Sequence, residues 1–217
     1  MAFTDFSTIA EVQEQFLIKY QSENFIQVNP IAVSQELMDE LEFTEKFIDT
    51  HGSEFAIREN LIFPVLKTAY RPYADVFSLW SHRFIRYDEV LAGTPDYLVS
   101  KRSPLGKTVL EKPLLLVMEA KKNDFDAGWG QCLAAMVAAQ KMNDQAVDIY
   151  GIVTDGKIWQ FGKLVRDFFT FNIRFYTLDD LPVLMGALDF IYRAPLFIQN
   201  MRTKHKNSIA LLSTFLY

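Results

Sequence analysis

Charged side chains flank two apolar segments near the middle of the chain. The apolar run at residues 114–118 ends in Glu119 and Lys121, which share one face of an extended strand because successive side chains alternate. Asp96 opens a second apolar segment, "PDYLV". If the two segments pair in antiparallel fashion through the connection at residues 101–112, the start of one lies beside the end of the other. Asp96, Glu119 and Lys121 are therefore expected to converge at one edge of a sheet.

Such a group of side chains suits a hard divalent cation. Two carboxylates and the backbone carbonyl of Ala120 are oxygen ligands of the kind that Mg²⁺ or Mn²⁺ takes. The cation would polarise a phosphoryl oxygen and acidify a bound water, and Lys121 would orient that water or stabilise developing charge. The alternative interpretation is plainer. Glu119 and Lys121 form an exposed ion pair of little energetic weight, and Asp96 is a turn residue after Pro95.

The elements that must position these residues follow from the hydrophobic periodicity. Helices are predicted over residues 8–20, 34–50 and 53–70, with Ser34 and Ser53 as N-caps. Pro64 lies inside the third pattern and predicts a kink.

In the second half of the chain, the period of the hydrophobic pattern changes several times. The pattern predicts strand or irregular structure at 75–100, the strand pair, a helix from Asp126 or Gly130 to Met142, and a strand–turn–strand around 155–156. One further strand precedes a closing helix that Asp179 or Asp180 caps. This order predicts a mixed α/β or α+β architecture in a single domain over residues 1–217.

The amino-acid composition limits the functional classes to which the protein can belong. The 217 residues include one cysteine, Cys132, which excludes an internal disulfide framework and suits a small buried apolar side chain in a helix. The net charge of −5 argues against nucleic-acid binding through overall charge alone. No signal peptide and no apolar run of membrane-spanning length is found, so a cytoplasmic protein without membrane contact is expected. The three histidines lack the spacing of a zinc site.

Pro95-Asp96 followed by Glu119-x-Lys121 resembles the motif of the PD-(D/E)xK nuclease superfamily, with 23 residues from Asp96 to Glu119. The resemblance implies a restriction-endonuclease-like fold, a central mixed sheet flanked by helices. Its core would span about 53–165, with helical additions in residues 1–50 and 180–217. It also implies a Mg²⁺- or Mn²⁺-dependent nuclease that hydrolyses DNA, or less readily RNA.

The helix around Glu54 and Arg58 is similar to the N-terminal helix of the nuclease domain in type I restriction R subunits and their stand-alone relatives. That similarity implies that Glu54 leans into the metal site and that Gln131, in the helix after the motif, assists orientation. No helicase-like motor accompanies the domain in this chain. Other interpretations stay open: a surface salt bridge between Glu54 and Arg58, Glu59 in place of Glu54, and Gln131 as an ordinary polar helix residue.

A second hypothesis belongs to another class. The chain would be a catalytically weak or inactive nuclease-fold subunit that serves as a binding or assembly module in a restriction or defence complex. The apolar segment "IALLSTFLY" near the end would then contact a partner or a second copy. Trp129 is interpreted as a packing residue, which is preferred to a role as a lid over the site. The candidate phosphate contacts are basic: Lys101, Arg102, Lys107, Lys112, Lys122 and residues 202–206.

Overall fold

The computed structural model describes residues 2–50, 52–144 and 147–196, and in them an eight-stranded mixed sheet carries helices on both faces. The helices are α1 (Ile9–Phe16), α2 (Gln35–Phe47), α3 (Glu54–Ile57), α4 (Phe63–Tyr70), α5 (Phe125–Met142) and α6 (residues 181–196). A π-helical segment, Arg58–Ile62, joins α3 to α4. Short 3₁₀ turns occur at Phe3–Asp5, Arg71–Tyr73 and Leu178–Asp180.

The strands are β1 (Lys19–Glu23), β2 (Phe77–Ser81), β3 (Ile85–Arg86), β4 (Ala92–Gly93), β5 (Tyr97–Lys101), β6 (Glu111–Ala120), β7 (Ile149–Thr154), β8 (Ile158–Val165), β9 (Phe168–Asn172) and β10 (Tyr176–Thr177). The sheet order is β1-β9-β8-β7-β6-β5-β2, and β10 also pairs with β8. The pairs β1/β9 and β6/β7 are parallel, and the other pairs in this sheet are antiparallel. β3 and β4 form a separate two-stranded ribbon.

Two apolar clusters pack on opposite faces of this sheet. Helices α4 and α6 cover one face with side chains that include Leu66 and Leu188. Helix α5 covers the other face, where Leu133 packs with Val117 of β6. Because β6 is apolar on both faces, it lies in the middle of the sheet and is buried from Leu114 onward. The mixed α/β class predicted from the sequence is confirmed.

The predicted helix starts agree with the caps. The side chains of Ser34 and Ser53 accept hydrogen bonds from Leu37 N and Ala56 N. Pro64 was predicted to disturb its helix, and the helix does depart from α geometry in the π-helical segment just before Pro64. Helix α5 begins at Phe125, where the Asp124 side chain caps it.

Some boundaries predicted from the sequence were wrong. The predicted helix 8–20 ends at Phe16, because Leu17 turns left-handed at φ 57° and the chain then enters β1. The apolar spacing continues past that turn, and periodicity alone does not mark it. Asp179 and Asp180 lie inside a 3₁₀ turn ahead of α6, and the predicted last strand is divided into β9 and β10. The segments 202–206 and "IALLSTFLY" lie outside the described residues.

Candidate functional site

The antiparallel pairing of β5 with β6 brings two carboxyl groups together. Tyr97 lies opposite Met118, so Asp96, just before β5, stands beside the end of β6. The backbone N–H of Ala120 donates to Asp96 Oδ2 over 2.7 Å, and the Glu119 side chain shares a hydrogen bond with Asp96. Asp96 is 7% and Glu119 5% exposed. The predicted convergence of Asp96 and Glu119 is therefore present, and both carboxyl groups are buried.

The electrostatic state of this pair follows from its burial. Desolvation raises the pKa of Glu119 well above its usual value, and the charge of Asp96 and the hydrogen bond to it raise it further. Lys121 and Arg58 oppose this shift and lie close enough to act on the Glu119 carboxyl. Glu119 thus keeps its proton to a higher pH than an exposed glutamate does. The exposed ion pair considered from the sequence does not fit a side chain this deeply buried.

Arg58 is the positive charge that contacts Asp96. Its guanidinium forms a salt bridge to Asp96 Oδ1, and only 11% of its side chain is exposed. The guanidinium carbon lies 4.3 Å from the centre of the Phe55 ring, and the buried Nε makes no hydrogen bond within the described part of the chain. No ion pair joins Arg58 to Glu54 there. The sequence analysis missed this partnership because the helical spacing of Glu54 and Arg58 suggested a local pair.

His82 lies close to the same carboxyl oxygen of Asp96. Its backbone N–H donates to the carbonyl of Asp96 over 2.9 Å, and its Nε2 lies 3.5 Å from Asp96 Oδ1. The residue has φ 50°, a left-handed conformation that costs energy in a non-glycine residue. The Ser81 hydroxyl lies 2.8 Å from Nδ1. Sequence reasoning considered His82 only as a zinc ligand and gave no signal for this contact.

Lys121 follows Glu119 on the same face of the strand end. Its backbone N–H donates to the Thr154 carbonyl over 2.9 Å, which continues the β6/β7 ladder by one residue. Its side chain runs over Gly128 of α5. A Cβ there would stand 2.9 Å from Lys121 Cγ and 2.6 Å from Val153 Cγ1. Gly128 therefore makes room for the lysine, a role that the sequence analysis did not assign to it.

Glu54 reaches the rim of the site and not its centre. Its Oε1 accepts a hydrogen bond of 3.3 Å from the backbone N–H of Lys122. Within residues 2–50, 52–144 and 147–196, no three His, Cys, Asp or Glu side chains form a group that could hold a metal. Glu54 accordingly does not join Asp96 and Glu119 in a three-carboxylate cluster. Through its contact with Lys122, the Glu54 side chain holds the backbone just after Lys121.

The other proposed site residues on the helices differ in position. Gln131 is half-buried on α5, with no side-chain hydrogen bond in the described part of the chain. Glu59 is exposed, next in sequence to Arg58. Trp129 packs: it is 3% exposed, and its indole N–H donates to Gln160 Oε1 over 2.7 Å. The packing interpretation of Trp129 is confirmed.

The basic residues proposed as phosphate contacts lie mostly at the other end of the strand pair. Lys101 ends β5, five residues of extended chain from Asp96, or about 16 Å. Arg102 turns back to donate to the carbonyl of Ala74 over 2.7 Å. The loop and strand start that follow carry Lys107 and Lys112. Among the described residues of this set, Lys122 alone lies close in sequence to Glu119 and Lys121.

No protein-family model matches the chain, and no curated protein matches it. Among the helices that the structure describes, none has both the length and the apolar character needed to cross a bilayer.

The donor set fits a hard cation that keeps several of its waters. Asp96 and Glu119 offer two carboxyl groups, and Mg²⁺ is commonly held by one or two. The N–H of Ala120 points to Asp96, and because the N–H and C=O of one strand residue point to the same side, its carbonyl faces that side too. The competing feature is the Arg58 guanidinium on Asp96 Oδ1.

Proposed function

We propose that the chain is a metal-dependent nuclease of the PD-(D/E)xK type, hydrolysing phosphodiester bonds of DNA, or less readily of RNA. The observation that carries the proposal is the buried pair of carboxyl groups, Asp96 and Glu119, at adjoining strand ends. Burying two acids against each other is unfavourable unless a proton or a cation compensates them. Strongly perturbed titration of this kind concentrates at functional sites.

The order of the elements supports a restriction-endonuclease-like fold. A helix (α3 and its continuation to α4) precedes the antiparallel strand pair β5–β6, helix α5 follows the Glu119-x-Lys121 motif, and β7–β8 form a strand–turn–strand. This is the succession that the resemblance implies for residues 53–165.

Each residue of the site has a distinct task under this proposal. Asp96, Glu119 and the Ala120 carbonyl would hold Mg²⁺ or Mn²⁺, which supplies positive charge to a phosphoryl oxygen and lowers the pKa of a bound water. Lys121, whose positive charge acts to lower the pKa of Glu119, would orient the attacking water or stabilise negative charge. Glu54 fixes the backbone after Lys121 through Lys122 N–H.

Arg58 takes two positions in this scheme. Without a cation its guanidinium neutralises Asp96. With a cation held by Asp96, the Arg58 guanidinium would no longer be needed there and would be free to pair with a phosphate oxygen. Arginine suits this exchange because its planar fork binds carboxylate and phosphate alike.

A non-catalytic assembly module is the second candidate, and the same contact favours it. If the pair between Arg58 and Asp96 is permanent, the acid is already neutralised and has no need of a metal. The net charge of −5 fits a protein partner more readily than a nucleic acid.

Two measurements separate these candidates. Calorimetric titration with Mn²⁺ should show binding to the wild type, lost in Asp96→Asn and retained in the exposed control Asp75→Asn. Plasmid nicking in Mn²⁺ should disappear in Asp96→Asn and Lys121→Ala and persist in the exposed control Lys46→Ala. Lys121→Ala should still bind Mn²⁺, because its ammonium is not a ligand.

The results that would oppose catalysis are equally concrete. A folded wild type that neither binds Mn²⁺ nor cleaves duplex DNA, single-stranded DNA or RNA would favour the assembly module. Equal cleavage by wild type and all variants would indicate a contaminant.

A further inference from the structure

The two edge strands of the sheet differ in how they are covered. The edge strand β2 is buried at Phe77 and Ser78 and partly buried at the next two residues, and its Phe77 carbonyl accepts a hydrogen bond of 2.8 Å from the Tyr70 hydroxyl. The edge strand β1 is exposed at all five residues and pairs, within the described part of the chain, with β9 alone. An open edge of this kind presents unpaired backbone donors and acceptors to other chains.

The hydrogen bonds to β9 identify which backbone groups of β1 are free. Lys19 N–H donates to the Asp167 carbonyl over 2.7 Å, and the Glu23 carbonyl accepts from Ile173 N–H over 3.2 Å. Alternate residues of a strand point their backbone groups to opposite sides. Lys19, Gln21 and Glu23 therefore face β9, and the N–H and C=O groups of Tyr20 and Ser22 face outward.

The sequence of β1, "KYQSE", is self-complementary about its central residue. In an antiparallel pair of two copies centred on Gln21, each Tyr20 lies opposite Ser22 of the other copy, and their outward groups exchange hydrogen bonds. Each Lys19 then lies opposite the other copy's Glu23, in the closer, non-hydrogen-bonded type of position. A register shifted by one residue at the axis loses both charge pairs.

Apolar side chains surround this edge. Leu17 (80% exposed) and Phe168 (41%) flank the start of β1, and Ile173 (55%) and Phe175 (48%) lie near its end. Because a two-fold axis places the start of one strand beside the end of the other, each end of the pair would have one group from each copy. Exposed apolar clusters with polar surroundings are typical of interfaces.

We propose that β1 is a homodimer interface, through which two copies of the chain join edge to edge into one continuous sheet about a two-fold axis at Gln21. The edge lacks two of the devices that block such pairing, since β1 contains no proline and its register with β9 runs without a bulge. Glu23 has no ion-pair partner in the described part of the chain, and the second copy supplies one. With only five residues a side, the affinity should be modest.

The interface stands apart from the proposed nuclease site. Three strands, β9, β8 and β7, separate β1 from β6, which carries Glu119. Substitutions in β1 should thus leave Mn²⁺ binding and cleavage at the site intact, and the dimer proposal can fail or succeed independently of the proposed function.

Charge reversal tests the register directly. Lys19→Glu places two glutamates opposite each other, and Glu23→Lys places two lysines opposite each other, at two positions per dimer. Each single variant should raise the dimer dissociation constant about tenfold or more, measured by sedimentation equilibrium. The double variant Lys19→Glu/Glu23→Lys should recover most of the affinity. An equal mixture of the two single variants should form a heterodimer with both pairs restored.

Matched reversals elsewhere serve as controls. Lys107→Glu and Glu40→Lys change net charge by the same amounts at exposed positions and should dimerise as the wild type does. Thermal melts of the single variants check that loss of the Lys19–Asp167 ion pair, 2.8 Å long and exposed, leaves the fold intact. A wild type that stays monomeric at its highest soluble concentration overturns the proposal. So does a dimer that neither single variant weakens, or a mixture that does not associate.

Discussion

Two Arg–Asp pairs, one at the candidate site and one within helix α6, show how differently a carboxylate can be accommodated. Asp189 on α6 lies 2.6 Å (Oδ2) from Nε of Arg193 and accepts a hydrogen bond from the Tyr73 hydroxyl. Its side chain is 22% and that of Arg193 40% exposed. Asp96 pairs with Arg58 at 9% and 11% exposure, with His82 nearby and the Glu119 carboxyl against it.

The difference lies in the balance of charge. The pair of Asp189 with Arg193 is one acid with one base, and with Tyr73 it fastens α6 to the turn after α4. The site holds a second acid that nothing in the packing requires, since an apolar or amide side chain would also end β6. A second buried acid, opposed by the less buried Lys121, is what distinguishes the proposed cation site from this structural ion pair.

Removing the arginine should have the largest effect and should differ between the two regions. Arg58→Met leaves Asp96 buried without its base, and we expect a loss of about 3 kcal/mol in the free energy of unfolding. Arg193→Met, at a partly exposed pair, should cost about 1 kcal/mol or less. Urea denaturation at neutral pH measures both.

The same pair of variants tests whether a cation can replace the arginine. Addition of Mn²⁺ should stabilise Arg58→Met more than it stabilises Arg193→Met, because a ligand that binds only the folded state stabilises it and Arg58→Met lacks the guanidinium that competes for Asp96. Equal losses in the two variants, with no response to Mn²⁺, would remove the distinction drawn between the two pairs.

Replacing an acid by its amide should change the stability of the protein in opposite directions in the two regions. The pKa of Glu119 is raised in the folded state, so the folded protein binds more protons than the unfolded chain above the ordinary glutamate pKa. The stability that this proton contributes is fully present below the unfolded pKa and is lost as pH rises through the folded pKa. Glu119→Gln should remove that loss, because its amide can donate to Asp96 without ionising.

The expected gain at neutral pH is at least about 1 kcal/mol in Glu119→Gln, with a flatter dependence of stability on pH. Asp189→Asn should instead lose about 1 kcal/mol, because it weakens the contacts to Arg193 and Tyr73. Melting temperatures across a pH series give both signs, with the exposed Glu14→Gln as the control for amide substitution. A destabilised Glu119→Gln at neutral pH would mean that Glu119 is ionised and well compensated as it stands.

The sequence predicted the strand pair and its two acids because their signals are local. The apolar run of β6 ends in Glu119 and Lys121, and strand alternation alone places both side chains on one face. Antiparallel pairing through a single connection then brings Asp96 beside them. Ser34 and Ser53 were predicted as N-caps for the same reason, since an N-cap depends only on the next three residues.

Arg58, His82 and Gly128 could not be found in this way. Each meets the site through a contact between elements distant in the chain: Arg58 across 38 residues to Asp96, and Gly128 through close approach to Lys121. No periodicity encodes such a meeting. The boundary at Leu17 was missed for a different reason, because its left-handed turn interrupts a pattern whose apolar spacing continues.

The smallest effect concerns backbone strain next to the acid. His82 (φ 50°) and Arg166 (φ 54°) both adopt the left-handed conformation, the first beside Asp96 and the second in the turn between β8 and β9. Glycine adopts it without steric cost, so His82→Gly and Arg166→Gly should each change stability by about 1 kcal/mol or less. The two substitutions are thus matched in their effect on the backbone.

They should part in what they do to the site. His82→Gly removes an imidazole whose Nε2 lies 3.5 Å from Asp96 Oδ1, where it occupies space that a cation on Asp96 would need. The variant should therefore bind Mn²⁺ more tightly than the wild type at the same pH, as measured by calorimetric titration. Arg166→Gly should bind Mn²⁺ as the wild type does. Equal affinities for wild type and His82→Gly would show that the imidazole does not act on Asp96, and would leave Arg58 as the one base in contact with it among the described residues.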